Sequence, residues 1–121
     1  MDEQMTRDRL FLLKSGFMDG AGGPFYCPAC ATVEGVLAFH PRLRDLIDVQ
    51  YLDFPRPRPA IVDLLGETQQ GLPALVVGDD AAADAALAGL DVRESRGHRF
   101  LRGAADIGNY LARRYGVSAP H

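Results

Sequence analysis

The chain is 121 residues long, with 47% hydrophobic and 24% charged residues and a formal net charge of −3 at pH 7. This length suits one domain, and this composition excludes a disordered chain because it supplies enough apolar surface to form a core. The acidic balance gives no electrostatic reason to bind nucleic acid, and no apolar run reaches the ~20 residues needed to cross a membrane. We therefore expect neither nucleic acid nor a membrane as a partner.

The first residues are polar and acidic and lack the apolar stretch of an export signal. We expect residues 1–8 to form a flexible N-terminus and the chain to be cytoplasmic. In that reducing compartment, a close pair of cysteines is more often catalytic or metal-binding than a permanent cross-link. The chain has two cysteines, so this expectation bears directly on its function.

The first predicted element is a strand. Arg9–Lys14 contains a short continuous apolar run, which is typical of a strand covered on both faces. Ser15–Gly23 follows with four glycines in nine residues and predicts a flexible loop. Pro28 comes directly after Cys27, and proline is favoured at the first position of a helix because its missing N–H has no helical partner there. The pattern predicts a helix that begins at Cys27 or Pro28 and ends before Pro41.

The middle of the chain alternates between strand and helix signals. Ile47–Phe54 predicts a second strand, Pro55–Pro59 a stiff extended segment, and Ala60–Leu65 a short helix. Gly71–Val77 predicts a turn followed by an apolar strand, with Pro73 among its first residues, where proline is tolerated.

The last part of the chain begins with a variable insertion over residues 78–98. Its alanine-rich part fits either a short helix or a surface excursion, and both interpretations stay open. Arg99–Leu101 predicts a short strand, and Asp106 is predicted to cap a final helix that ends before Gly116. Residues 117–121 are expected to be flexible. The predicted buried stripe of the final helix consists of Ile107, Tyr110, Leu111 and Tyr115.

The order of these elements predicts the fold class. Strands and helices alternate without an internal repeat or a domain linker, which is typical of an α/β sandwich. We predict one domain over residues 1–121, built as a mixed sheet flanked by helices.

The stretch Phe25–Cys30 reads Phe-Tyr-Cys-Pro-Ala-Cys and holds both cysteines. Two thiols separated by two residues at the start of a helix can close a disulfide ring, hold a soft metal or remain inert. Zinc needs about four ligands, and beyond the two cysteines the chain offers only the scattered His40, His98 and His121. We therefore predict no metal site in the chain and favour redox chemistry.

Cys27 is the predicted nucleophile. A cysteine at a helix N-terminus faces unpaired backbone N–H groups and the positive end of the helix dipole, which favour the reactive thiolate. Cys30 lies one turn further in, where it can attack a mixed disulfide on Cys27 and release the bound partner. Cys30 is the predicted resolving thiol, and Tyr26 is placed to shape a substrate groove. The expected partner is a protein or a small-molecule thiol or disulfide.

Three separated motifs give the chain a resemblance to the thioredoxin-like superfamily. They are Cys27–Cys30 at the join of the first strand and a helix, Leu72–Pro73 at the opening of an apolar strand, and Arg102–Ile107, which looks like the entry to the last helix of glutaredoxins. The chain is also similar to a bacterial family of thioredoxin-like proteins of unknown function. This similarity lies in three sequence motifs, Phe-Tyr-Cys-Pro-x-Cys, Asp-Phe-Pro-Arg-Pro-Arg and Leu-Pro-x-Leu-Val.

This resemblance implies a thioredoxin-like sandwich and a set of substrate-binding residues. Pro73 would follow a cis peptide bond and face the dithiol, and Leu72 would present its backbone to a peptide or to glutathione. Asp106 would meet the amino end of glutathione, and Lys14 would be the basic residue before the dithiol. Glutathione is then a cosubstrate, and no other cofactor is implied.

Two functions from different classes are consistent with these features. The leading hypothesis is a thiol-disulfide oxidoreductase that uses the dithiol. The alternative is a non-catalytic binding or regulatory module that docks a peptide or protein beside Pro73. Two departures from glutaredoxins motivate this alternative. Ala104 and Ala105 offer no side-chain hydrogen bonds, and the segment of residues 78–98 is longer than the compact hairpin of glutaredoxins. Nothing in the pattern sets an oligomeric state.

Overall fold

A computed structural model describes residues 7–121 of the chain. Within that range the polypeptide forms a single α/β domain with seven strands and five helices. In chain order these elements are β1 (Arg9–Leu13), β2 (Phe17–Asp19), β3 (Gly22–Phe25), α1 (Pro28–Phe39), α2 (Leu43–Leu46), β4 (Asp48–Leu52), α3 (Pro59–Leu65), β5 (Ala74–Val76), α4 (Ala82–Leu87), β6 (Arg93–Ser95), β7 (His98–Arg102) and α5 (Ala104–Tyr115).

Five of the strands form one mixed sheet in the order β4-β1-β5-β7-β6. β1 pairs in parallel with β4, with Leu13 beside Leu52, and antiparallel with β5, with Leu10 beside Leu75. β5, β7 and β6 continue the sheet in antiparallel pairs. The parallel pair needs a long crossover connection, and α1 and α2 lie in it. The predicted mixed sheet flanked by helices is confirmed.

The core lies on both faces of this sheet. Leu10 and Leu12 of β1 belong to a cluster that includes side chains of α1, α4 and α5, whereas Phe11 belongs to a second cluster with α3. Each of these three side chains is at most 2% exposed. The prediction that the first strand is covered on both faces is therefore confirmed, because successive side chains of a strand point to opposite faces.

The first and last helices begin and end close to where local signals predict. α1 starts at Pro28, has Cys27 as its N-cap and ends at the C-cap residue His40, directly before Pro41. α5 ends at Tyr115, and its C-cap Gly116 adopts a left-handed backbone with φ 73°. Glycine accepts that conformation without a steric penalty, so it stops the helix as predicted.

The loop predicted over Ser15–Gly23 is largely a hairpin. β2 and β3 form a two-stranded sheet in which Phe17 pairs with Phe25. Phe17 also stacks on Phe54, with ring centroids 4.5 Å apart and planes inclined by 5°. The glycine count predicts a flexible loop and misses this aromatic contact with a distant part of the chain, which holds the hairpin in place.

Residues 78–98 also form regular structure. The alanine-rich part is the helix α4, and β6 adds a strand to the edge of the sheet. Ala83, Ala86 and Leu87 are buried, and α4 packs against α5. Small side chains allow a close approach of the two helices, so these alanines belong to the core rather than to a surface excursion.

The prediction that Asp106 caps the last helix is wrong. The N-cap of α5 is Gly103, whose φ is 88° and which makes no side-chain capping bond. Because glycine adopts this backbone readily, the helix begins at Ala104, ahead of Asp106. Asp106 therefore lies in the first turn, where its negative charge interacts favourably with the helix dipole.

Asp8 ties the start of the described chain to its last helix. It is fully buried, and its carboxylate accepts hydrogen bonds from the Gly78 backbone N–H at 2.8 Å and from Arg114 Nη1 at 3.4 Å. The hydroxyls of Tyr110 and Tyr115 donate to the same carboxylate at 2.8 and 2.6 Å. We call these five residues the Asp8 cluster.

The ends expected to be flexible fall partly outside the described range. Residues 1–6 of the expected N-terminal segment lie outside it, and Asp8 is buried as described above. At the other end, Val117 is buried, and a Cβ atom added to Gly108 would lie 2.8 Å from Pro120. The C-terminal tail therefore runs against α5.

Candidate active site

Cys27 occupies the N-cap position of α1 and is half-buried. Its Sγ accepts a hydrogen bond from the backbone N–H of Cys30 at 3.2 Å. That N–H belongs to the first turn of the helix, where no earlier helical carbonyl is available to accept it. A negative charge on this sulfur is stabilised by the hydrogen bond and by the helix dipole.

Cys30 lies one turn into α1 and is only 4% exposed. Its Sγ accepts a hydrogen bond from the backbone N–H of Leu13 at 3.4 Å, so β1 holds it in place. Burial raises the pKa of the Cys30 thiol to about 12, the hydrogen bond from Leu13 opposes this rise, and Cys27 adds to it. Cys30 is therefore a protonated thiol at neutral pH.

Both cysteines are free, and the two residues approach each other to 3.1 Å. They differ in access, because Cys27 is half-buried at the helix end whereas Cys30 is covered by its own helix and by β1. A partner that reaches this pair therefore meets Cys27 first.

A groove of about 720 Å³ opens beside the two thiols, and we call it the dithiol groove. Its walls come from the end of β1, the start of α1 and the strand β4. The predicted site residues Tyr26, Cys27 and Cys30 all line it. The polar and reactive side chains that line the groove are Lys14, Ser15, Tyr26, Cys27, Cys30, Glu34 and Tyr51.

The ionised side chains of the groove are paired with other charges. Lys14 Nζ lies 3.1 Å from Asp53 Oδ1, and both side chains are exposed. The Glu34 carboxylate accepts hydrogen bonds from Arg44 Nη2 at 2.8 Å and from the Tyr51 hydroxyl at 2.7 Å. Burial raises the pKa of Tyr51, so its hydroxyl keeps its proton and acts as a donor. These pairs leave little net charge on the exposed rim of the groove.

The β2–β3 hairpin and the residue that follows it carry exposed apolar side chains next to the dithiol. Met18 is 54% exposed, Phe25 is 47% exposed and Tyr26 is 63% exposed. Phe25 and Tyr26 directly precede Cys27 in the chain. Adjacent exposed apolar side chains beside a reactive group are typical of a surface that contacts a partner.

The predicted cis peptide bond at Leu72–Pro73 is confirmed. Leu72 and Cys27 are both partly buried against the same large core cluster. Pro73 is buried and directly precedes β5. The walls of the dithiol groove are formed by other residues.

The Asp106 side chain makes a hydrogen bond outside the dithiol groove. Its Oδ2 accepts a hydrogen bond from the backbone N–H of Asp91 at 3.3 Å, which joins α5 to the segment before β6. The structure thus brings Tyr26, Cys27 and Cys30 into one groove with Lys14, whereas Asp106 serves a contact within the fold.

Two side chains that line the groove are not predicted as site residues by the sequence. Glu34 lies four residues after Cys30 on α1, a spacing that puts the two on one helix face and could have indicated it. Tyr51 reaches the groove because it pairs with Leu12 across β4 and β1. The position of Tyr51 depends on strand pairing, which no local signal reports.

Across residues 7–121, no group of three or more His, Cys, Asp or Glu side chains is arranged to hold a metal ion. In the same part of the chain, no helix has both the length and the apolar character that crossing a bilayer requires.

A family model described as Protein of unknown function (DUF3088) matches residues 7–119, which is nearly the whole chain. Searches of the curated proteins and of the solved structures returned no match.

Proposed function

We propose that this chain, which belongs to the family described as Protein of unknown function (DUF3088), is a thiol-disulfide oxidoreductase. The observation that carries the proposal is the unequal pair of thiols. Cys27 is half-buried at a helix N-cap, and Cys30 is buried beside it. Disulfide exchange needs one thiol that a partner can reach and a second that attacks only after the first has reacted.

In the first step, the Cys27 thiolate attacks one sulfur of a substrate disulfide. A bond forms between Cys27 Sγ and that sulfur, the substrate S–S bond breaks, and the other half of the substrate leaves as a thiolate. The Cys30 N–H that donates to Cys27 Sγ at 3.2 Å stabilises the attacking thiolate.

In the second step, the Cys30 thiol gives its proton to the thiolate released in the first step. The Cys30 thiolate then attacks Cys27 Sγ, a Cys27–Cys30 disulfide forms, and the second half of the substrate leaves as a thiolate. Two electrons pass from the dithiol to the substrate. An external thiol reductant returns the protein disulfide to the dithiol.

The timing of the second step follows from the environment of Cys30. Burial is the largest cause of its raised pKa, and the hydrogen bond and charge of Cys27 raise it further. A mixed disulfide on Cys27 carries no negative charge. Cys30 therefore ionises more readily once Cys27 has reacted, which is the point at which its thiolate is needed.

The thioredoxin-like resemblance supports the same function. A cis peptide bond before Pro73 and the packing of Leu72 on the core that includes Cys27 agree with what the resemblance implies. A parallel pair of β1 and β4 with an antiparallel β5 is compatible with a thioredoxin-like sandwich. We infer this fold family from these features together.

Exchange with a disulfide substrate tests the proposal. Reduced protein is mixed with insulin or with oxidised glutathione, and the loss of protein thiols is followed with time. We expect Cys27→Ser to lower the exchange rate by about 100-fold or more, because the reactive thiolate is removed. Cys30→Ser should accumulate a mixed disulfide on Cys27, visible as an added mass. A Cys27→Ser protein that exchanges as fast as the wild type would overturn the proposal.

A binding module is the second candidate, and the exposed Met18, Phe25 and Tyr26 favour it. A protein that only docks a peptide needs these apolar side chains but neither sulfur. The double variant Cys27→Ser/Cys30→Ser separates the two functions in cells that lack the protein. Full rescue by this variant would mean that redox chemistry is not the function, and loss of rescue excludes a passive module.

A further inference from the structure

The dithiol groove contains both cysteines, so the chemistry of its walls decides which molecules can reach them. The walls come from the end of β1, the start of α1 and the strand β4. Leu72, Pro73 and Asp106, which the resemblance implies as substrate-binding residues, do not line the groove. A molecule seated in the groove lies beside the sulfurs and contacts a different set of side chains.

The backbone donors at the end of β1 are already used within the protein. The N–H of Leu13 donates to Cys30 Sγ at 3.4 Å, and the N–H of Lys14 donates to the Leu52 carbonyl at 2.9 Å. Binding of an extended peptide as an added strand relies on main-chain hydrogen bonds to the protein. This wall therefore presents side chains to an occupant rather than free backbone N–H groups.

The size and the lining of the groove suit a small apolar molecule. Its volume of about 720 Å³ falls within the roughly 300 to 1,000 Å³ of small-molecule sites. Leu12, Leu13 and Ala31 line it, together with Tyr26 and Tyr51, which are 63% and 37% exposed. The aromatic pairs within residues 7–121 join phenylalanines, so both tyrosine rings are free to contact a ligand. Aromatic rings bind apolar and aromatic groups favourably.

The ionised side chains that line the groove are Lys14 and Glu34, and each has a partner of opposite charge in the protein. Lys14 Nζ lies 3.1 Å from Asp53 Oδ1, and Glu34 Oε1 lies 2.8 Å from Arg44 Nη2. Glutathione carries carboxylates and an ammonium group at neutral pH. Its carboxylates would be repelled by Glu34 and would compete with Asp53 for Lys14. A charged body also loses hydration in the groove, whereas an uncharged body does not.

We propose that the dithiol groove binds a low-molecular-weight disulfide with an uncharged, apolar body, which lies against the rings of Tyr26 and Tyr51. Glutathione is then a poor substrate. The inference rests on the proposed function, since exchange with the dithiol is the reaction that the bound molecule undergoes. The dithiol supplies two electrons and two protons, the S–S bond of the substrate breaks, and two thiols leave as the Cys27–Cys30 disulfide forms.

The first test compares 2-pyridyl disulfides on the wild-type protein, because each releases the same 2-thiopyridone, which is followed by its absorbance. The group on the other sulfur is phenethyl, 2-hydroxyethyl or glutathione. Each rate constant is divided by that of the same compound with dithiothreitol, which removes differences in intrinsic reactivity. After this correction we expect the phenethyl compound to exceed the glutathione compound by about 10-fold or more, with the hydroxyethyl compound between them.

Equal corrected rates for the phenethyl and glutathione compounds would overturn the proposal. A fourth compound carries a capped, uncharged peptide with one cysteine between apolar residues on the same pyridyl disulfide. We expect this peptide to react more slowly than the phenethyl compound, because the end of β1 offers it no free backbone donors. A peptide that reacts faster would assign the groove to protein substrates and would also overturn the proposal.

The second test fills the groove at Ala31, which is exposed on α1 and lines it. The background is Cys30→Ser, in which Cys27 is the remaining cysteine. Ala31→Trp should slow the phenethyl compound by about 10-fold or more and the much smaller iodoacetamide by at most about 3-fold, because bulk excludes the larger molecule first.

Thr32→Trp in the same background is the matched control. Thr32 is the next residue of α1, is exposed and lines a separate cavity. Both rates should stay within about 2-fold of those of the Cys30→Ser protein, as for most surface substitutions. If Ala31→Trp and Thr32→Trp react equally fast with the phenethyl compound, the molecule does not occupy the groove and the proposal is wrong.

A third test removes one aromatic wall. Tyr26→Ala should lower the corrected rate of the phenethyl compound by about 3- to 10-fold and that of the hydroxyethyl compound by less than about 2-fold. Tyr26→Phe keeps the ring and should restore the rate. An equal loss for the two compounds would contradict a contact between the ring and the apolar body.

These outcomes separate the two proposals. Release of 2-thiopyridone reports the first bond to Cys27, and mass spectrometry of the wild-type product reports whether Cys30 then displaces the adduct. A preference for the phenethyl compound, with an adduct that stays on Cys27, upholds the assignment of the groove and overturns the proposed function. Complete formation of the Cys27–Cys30 disulfide without that preference does the reverse.

Discussion

Asp8 and Arg58 are both buried charged residues, at 0% and 7% exposure, and each is held by several hydrogen bonds. The partners of Asp8 include the guanidinium of Arg114, and Arg114 also pairs with Asp80 at 2.6 Å. The partners of Arg58 are backbone carbonyls and the side-chain oxygen of Gln70. One buried charge is therefore paired with an opposite charge within the fold, whereas the other is held by neutral oxygen atoms.

This difference separates a stabilising cluster from a reactive one. In the Asp8 cluster, four donors converge on one carboxylate and connect the start of β1 with α5, so removal of any member leaves buried polar groups unpaired. At the dithiol, Cys27 Sγ accepts one backbone N–H and faces an open groove. The Cys27 sulfur is therefore accessible to a partner, whereas the Asp8 carboxylate is enclosed by its donors.

Asp8→Ala should give the largest loss of stability. It leaves Arg114 without its buried carboxylate and the two tyrosine hydroxyls without an acceptor, which should lower the free energy of unfolding by about 3 to 5 kcal/mol. Urea denaturation measures this loss. Asp84→Ala is the control, since Asp84 is 68% exposed and paired with Arg99, and its loss should stay below about 1 kcal/mol. Equal losses in the two variants would show that the Asp8 cluster contributes no more than a surface ion pair.

A rise in pH should lower the free energy of unfolding, because the pKa values of three buried side chains are raised in the folded protein. Burial raises the pKa of Tyr110 and Tyr115 and raises that of Cys30 to about 12. Unfolded cysteine and tyrosine ionise near pH ~8.5 and ~10, so above those values the unfolded chain binds fewer protons than the folded one. The stability is full below about pH 8.5, falls by about 1.4 kcal/mol per pH unit above that value because of Cys30, and falls more steeply above about pH 10, where each tyrosine adds a similar amount.

Urea denaturation between pH 7 and 10.5 measures this fall. Cys30→Ala removes the group that ionises earliest in the unfolded chain, so the decline in that variant should begin about 1.5 pH units later. A free energy of unfolding that is constant up to pH 10.5 would contradict the burial of all three groups as neutral forms.

Phe17→Ala should have the smallest effect and tests whether the aromatic stack holds the hairpin. Phe17 stacks on Phe54, whose carbonyl accepts from the Arg58 guanidinium. Loss of this stack should lower the free energy of unfolding by about 0.5 to 1.5 kcal/mol, again measured in urea. Phe39→Ala is the matched control, because Phe39 is 83% exposed, and its change should stay within about 0.5 kcal/mol. If the two variants lose the same amount, the stack does not hold the hairpin.

Local patterns predicted the parts of the fold that depend on neighbours in the chain. The apolar run within Arg9–Lys14 indicated β1, and Pro28 and Pro41 marked the bounds of α1. The β2–β3 hairpin and the strand β6 were missed, because short exposed strands are stabilised by pairing and by contacts such as that of Phe17 with Phe54 rather than by their own sequences. Asp106 was misread as a cap because Gly103 supplies the backbone turn that starts α5.

By itself, the sequence determined the α/β order and the position of the dithiol at a helix start, since periodicity and proline geometry act over a few residues. Only the tertiary structure decided that Cys30 is buried against Leu13 and that Arg58 lies between the end of β4 and the segment before Pro73. Those arrangements depend on parallel pairing of β1 with β4 and on loop packing between distant segments. The burial of Cys30 is therefore a property of the fold, whereas the presence of Cys27 at the helix start is a property of the sequence.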